Sequence, residues 1–154
     1  MLKPPVEPLT QLLPLNNDPK FGWDQFEEFC TGFLYKLPYV KECHRQGKEG
    51  NKQDGIDIIA DLNDGRKAVF SCKQYDKFKP SNARKAVKAI TYAADEYYLL
   101  LSCEASTSVR AIWRNKGANW DVWDTFDISR KIRELPPDSA RSLIRQCAID
   151  SVKR

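Results

Sequence analysis

Gly55-Ile56-Asp57-Ile58-Ile59-Ala60-Asp61-Leu62, then Asn63-Asp64-Gly65, then Arg66-Lys67-Ala68-Val69-Phe70-Ser71-Cys72-Lys73, is a strand, a turn and a second strand. Both arms carry the apolar and β-branched residues of strands, and the residues between them are turn formers, so a β-hairpin is the first inference. Side chains alternate between the faces of a strand, and a slip of one residue reverses all of them. Two loop lengths are open. A three-residue loop Asn63-Asp64-Gly65, with glycine in the left-handed position, pairs Leu62 with Arg66 and Asp57 with Ser71. Asp57, Ser71 and Lys73 then share a face, and Ile56, Ile58, Phe70 and Cys72 form an apolar layer on the other. A two-residue Asp64-Gly65 loop pairs Asp57 with Cys72 and sends Lys73 to the opposite side. A site using both Asp57 and Lys73 needs the first register. The bland alternative is an edge salt bridge between them.

The chain has 154 residues, which suits one domain with a sizeable core. Charged residues make up 30% and the net charge is +4, so a polycation is excluded while a local basic surface is not. Cys30, Cys43, Cys72, Cys103 and Cys147 are scattered, without the Cys-x-x-Cys spacing of zinc or redox pairs, and are expected to be reduced and buried. Cys43-His44 alone cannot complete a tetrahedral metal site. With one histidine, a Ser-His-Asp or Cys-His unit is disfavoured. There is no signal-peptide pattern or long apolar run, so a cytoplasmic protein with no membrane partner is expected.

Outward from the hairpin, residues 1–20 hold Pro4, Pro5, Pro8, Pro14 and Pro19 and read as an extended arm packed by leucines. From about 22 to 37, Trp23, Phe26, Phe29, Cys30, Phe33, Leu34 and Leu37 recur at helical spacing until Pro38. Glu27 falls at the edge of that stripe, beside Trp23, Cys30 and Leu34. Residues 41–52 are polar and contain glycine, and read as a loop. Ser81 is placed to cap a helix over 82–97, followed by a buried strand Tyr97–Ser102. Ser106 caps a helix reaching Lys116, Trp120–Trp123 is a short strand, and helices follow over 125–135 and 138–151 around Pro136-Pro137. The order implies an α/β fold, a mixed β-sheet core flanked by helices.

Phosphodiester hydrolysis needs an activated water and positive charge opposite the phosphate, which a hard divalent cation supplies. Mg²⁺ takes oxygen ligands, one or two of them protein carboxylates. Asp57 is the first candidate ligand, Glu27 a second or an outer acceptor, and the Cys72 backbone carbonyl a third. Lys73 suits orienting water or stabilising phosphate charge. Gly55 permits close approach of backbone or substrate, and Asp54 reads first as a loop acid. Lys77, Lys79, Arg84, Lys85 and Lys88 follow the second strand and are candidate phosphate contacts, with Arg110 and Arg114 a second patch. Trp113, Trp120 and Trp123 read as core before they read as base-stacking residues.

Gln53-Asp54-Gly55-Ile56-Asp57 with Ser71-Cys72-Lys73, preceded by Phe26-Glu27 on a helix, resembles the PD-(D/E)xK nuclease superfamily, especially its Mrr-like restriction-endonuclease branch. Trp120 to Leu135 also resembles the nuclease effector domains at the N-termini of bacterial antiviral STAND ATPases. The resemblance implies a restriction-endonuclease-like core over residues 21–154 and Mg²⁺-dependent cleavage of double-stranded DNA, with Mn²⁺ as a substitute ion. It implies metal binding at Asp57, catalysis at Lys73 and an auxiliary acid at Glu27. It further implies an excerpt of a longer antiviral defence protein, whose sensor and ATPase domains lie elsewhere and which acts as a homo-oligomer. Ser71 departs from the pattern, because that position is usually Asp, Glu or Gln. A hydroxyl there binds metal through water, leaves the work to Glu27, or marks a catalytically weakened nucleic-acid-binding module.

Overall fold

The computed structural model describes residues 23–46 and 55–152. The proline-rich arm and Gln53-Asp54 therefore lie outside the described residues. The described chain runs α1 (Trp23–Tyr35), β1 (Val40–Arg45), β2 (Ile58–Leu62), β3 (Lys67–Lys73), α2 (Pro80–Ala89), β4 (Glu96–Leu101), α3 (Thr107–Arg114), β5 (Trp120–Trp123), α4 (Thr125–Arg133) and α5 (Pro137–Val152). The strands form one mixed sheet in the order β1-β2-β3-β4-β5. β1, β2 and β3 are antiparallel neighbours, while β3, β4 and β5 run parallel through the crossover helices α2 and α3.

The hairpin has the three-residue loop. Ile58 pairs with Phe70 and Asp61 with Lys67, the Leu62 N–H donates to the Arg66 carbonyl at 2.9 Å, and Gly65 has φ +89°. Both strands are interior, β2 being covered by β1 and β3 by β4. The hairpin therefore does not lie at an edge of the sheet.

Alternation assigns each face a core. Ile58, Ala60, Phe70 and Cys72 face Phe26, Cys30, Phe33 and Leu34 of α1, with Ile128 and Ile132 of α4 and Leu143 of α5. On the other face Leu99 and Leu101 of β4 meet Ala83 and Ala86 of α2 and Val109 and Trp113 of α3. The result is a sheet between two helical layers. The three tryptophans read as core are buried, and the Trp113 indole N–H donates to the Tyr97 carbonyl.

Two elements differ from the sequence expectation. Residues 41–45, expected as loop, belong to β1, an edge strand with a register shift between Val40 and Glu42. Its outward side chains are exposed, and the shift separates the buried Val40 and Cys43 by three positions rather than two, which hides the period of a strand. The helix expected over 82–97 is Pro80–Ala89, with Lys79 as its N-cap in place of Ser81 and the Asn82 side chain accepting from the Lys79 N–H at 2.9 Å. Tyr92, Ala94 and Tyr97 leave the helix and pack partly buried against Ile56, Ile59 and Val69.

Candidate active site

β3 emerges from the centre of the sheet at Lys73, and the chain entering β2 passes beside it. The ladder predicts Asp57 opposite Ser71, but the Asp57 N–H donates to the Phe70 carbonyl at 2.8 Å, although Phe70 is already the partner of Ile58. Two consecutive residues address one, the count that defines a β-bulge. The bulge shifts the alternation. Ile56, expected in one layer with Ile58, Phe70 and Cys72, instead packs with Ile59 and Val69 on the opposite face.

The same bulge decides where Asp57 points. Its Oδ2 accepts from the backbone N–H of Cys72 at 2.7 Å, so a carboxylate takes the place of a ladder carbonyl. Backbone donors of a strand lie in the plane of the sheet, and Asp57 is therefore held at the rim between β2 and β3. It is only 2% exposed. Ser71 and Lys73 alternate with Cys72 and leave β3 on the Val69 face. The Ser71 hydroxyl donates to the Gly55 carbonyl at 2.8 Å and is itself buried. It pins the segment that leads into Asp57. Gly55 has φ +77°, and a Cβ built there overlaps the Ala89 carbonyl at the end of α2. The close approach expected at this glycine is thus an approach of backbone.

Glu27 arrives from α1 on the other face. It is 6% exposed, and its Oε1 receives Arg45 Nη2 from β1 at 3.1 Å. The Gln46 N–H, one residue on, donates to the Asp57 carbonyl at 2.7 Å. Arg45 and Gln46, which contact Glu27 and Asp57, were not legible in the sequence because their segment reads as loop. The available signal was the spacing of Cys43 and Arg45, which places both on the face toward α1. The Cys72 thiol turns into that same face. It is pushed well above its ordinary pKa, first by burial, then by a hydrogen bond with Cys30, then by the negative charges of Asp57 and Glu27. One thiol thus lies within electrostatic reach of both candidate carboxylates.

Among the described residues no three His, Cys, Asp or Glu side chains gather as a metal cluster. Cys30, Cys43, Cys72 and Cys103 are free and buried. Lys77, Lys79, Arg84, Lys85 and Lys88 are all exposed. The second basic patch is not one: Arg110 bridges Asp124 and Asp127 at 2.9 Å each, and Arg114 pairs with Asp121 at 2.8 Å. No described helix is long and apolar enough to cross a membrane.

A family model of Mrr type, described as restriction endonuclease, matches residues 19–109, more than half of the chain. No curated protein and no solved structure matches.

Proposed function

Because this chain belongs to the restriction-endonuclease family, we propose that it is a Mg²⁺-dependent DNA endonuclease with Asp57, Glu27 and Lys73 as its working groups. The observation that carries the reading is the Asp57 carboxylate, drawn off the ladder by a bulge and seated at the N–H between Ser71 and Lys73. The donor types fit the ion. Two buried carboxylates suit Mg²⁺, which takes one or two from the protein and completes its shell with water and phosphate. They do not suit structural zinc, which wants four protein ligands.

When bound, a divalent cation lowers the pKa of water and offsets charge on the scissile phosphate. The chain supplies the rest. Asp57 is preorganised by the Cys72 N–H, so little reorganisation is needed at the moment of reaction. Lys73 brings an ammonium to orient the attacking water or to meet the developing phosphate charge. Ser71 acts by fixing Gly55, and through it Asp57, in place of the acid usual at its position. Double-stranded DNA approaches along α2. That helix is tied to the site at both ends, following Lys73 in the chain and resting its last carbonyl on Gly55. We read the chain as the cytoplasmic effector part of a longer antiviral defence protein, activated when copies assemble. The support is the resemblance of Trp120–Leu135, residues that form β5 and α4.

A second reading, a nucleic-acid-binding module with a weakened site, is favoured by the same serine, whose hydroxyl proton is spent on Gly55. The two separate in one experiment. The protein, held as an oligomer by a fused assembly domain, is incubated with duplex DNA and Mg²⁺ beside Asp57→Ala and Lys73→Ala variants. Cleavage that falls at least about 100-fold in both supports the nuclease, the scale of a lost charge-stabilising or acid–base group. Cleavage undiminished in both variants refutes the assignment, and salt-sensitive binding without cleavage selects the module.

A further inference from the structure

Asp57 and Glu27 are both buried, and a buried negative charge needs a compensating partner. One such partner is in place. Arg45 lies opposite Ile58 in the β1–β2 ladder, directly beside the bulge, and its guanidinium meets Glu27 Oε1 at 3.1 Å. Its neighbour Gln46 holds the Asp57 carbonyl. The end of β1 is thus fastened to both acids, to one through a side chain and to the other through backbone. Arg45 is also the member of the pair that reaches solvent, with 34% of its side chain exposed against 7% for Glu27. A guanidinium on a long stem that is partly solvated can withdraw, whereas the carboxylate it leaves stays buried.

We propose that Arg45 is a positioning residue that acts through Glu27 as a stand-in cation. It neutralises Glu27 when no metal is present and opposes a divalent ion at the same carboxylate. This rests on the reading of Asp57 and Glu27 as the cation site. The physical consequence runs against intuition: removing Arg45 weakens the metal-free fold but tightens metal binding, because one opposing positive charge is gone. A residue serving only the fold would, when removed, weaken both.

The test is Mn²⁺ binding to the purified chain, measured by titration calorimetry without DNA, with thermal unfolding followed in parallel. Arg45→Met is expected to bind Mn²⁺ about tenfold more tightly than the parent, as fits loss of one partly screened charge. Its melting temperature should be lower without metal and rise further on adding Mn²⁺. Arg45→Lys, which keeps the charge, should bind like the parent. Equal or weaker binding by Arg45→Met overturns the proposal while leaving the cation site intact. If the parent shows no Mn²⁺ binding that Asp57→Ala abolishes, the underlying site reading fails and this proposal fails with it. Should Arg45→Met not fold, Arg45→Gln, which keeps a polar side chain for Glu27 without the charge, decides: tighter Mn²⁺ binding than the parent supports charge compensation through Glu27, and equal or weaker binding rules it out.

Discussion

Gly55 answers to two demands at once, a left-handed backbone and a helix terminus packed where a side chain would be. A left-handed non-glycine residue costs about 1–3 kcal/mol by itself, and overlap with the Ala89 carbonyl adds to it because backbone does not yield as a side chain does. Gly55→Ala should therefore destabilise the protein by more than about 2 kcal/mol in urea unfolding. Gly65 provides the control. Its φ is also positive, but a Cβ there meets nothing within 4 Å, so Gly65→Ala should cost only the backbone part. Equal losses at the two positions would show that α2 does not bear on Gly55. At this scale the sequence was informative up to one residue. It placed Asp57 next to the strand that carries Lys73 and offered the three-residue loop as one of two, yet the bulge left no mark, since no residue type is required at Asp57 for its N–H to reach the Phe70 carbonyl. The alternation rule then failed at Ile56 and Asp57 and nowhere further along the hairpin.

Among elements, those that announced themselves carry their start signals in capping side chains. Ser106 accepts from the Val109 N–H, and α4 begins at Asp124, whose Oδ1 accepts from the N–H groups of Phe126 and Asp127. β1 and the end of α2 carried no such signal. The first is an edge strand with a polar outer face, and the second stops without glycine or proline because Tyr92 and Ala94 gain more by packing on the sheet. The Asp124 cap is also a tertiary joint. Its Oδ2 accepts from the Ala105 N–H and meets Arg110, which joins α3 to α4 across the end of β5. Asp124→Ala should cost about 3 kcal/mol or more in urea unfolding, as one buried partner of an ion pair is removed and donors are orphaned. Its neighbour Asp127 carries the pH dependence. Burial pushes that carboxyl up, but hydrogen bonds from the Asp124 N–H and from Arg110 outweigh it and hold the pKa below the ordinary value. A depressed folded pKa contributes stability above the unfolded value of about 3.9 and loses it as pH falls through the folded one. Unfolding followed from pH 6 downward should show a loss below about pH 4 that is smaller in Asp127→Asn. A parallel loss in both proteins would remove Asp127 from that account.

Over the whole molecule, a net charge of +4 conceals how the charges are spread. Outside α2 several arginines are neutralised in place: Arg66 by Asp64 and Glu96, Arg110 by Asp124 and Asp127, Arg114 by Asp121 and Arg130 by Asp127. From Lys77 to Lys88 there are five basic residues and no acidic one, all five exposed, on a segment whose ends bracket the candidate site. A field concentrated there steers a polyanion toward Asp57 and Lys73 although the molecule as a whole is nearly balanced. Contact with phosphates releases counterions, so binding to duplex DNA in EDTA should weaken steeply with salt, with a logarithmic slope of about 0.9 per phosphate neutralised. Arg84→Ala/Lys88→Ala should lower that slope by about 2, since two such contacts are lost. Arg114→Ala should leave it unchanged, because that guanidinium is already engaged by Asp121 at the far end of the sheet. If the double variant keeps the parent slope while Arg114→Ala lowers it, DNA does not approach along α2, and the surface that meets the substrate lies on the β4–β5 side of the sheet.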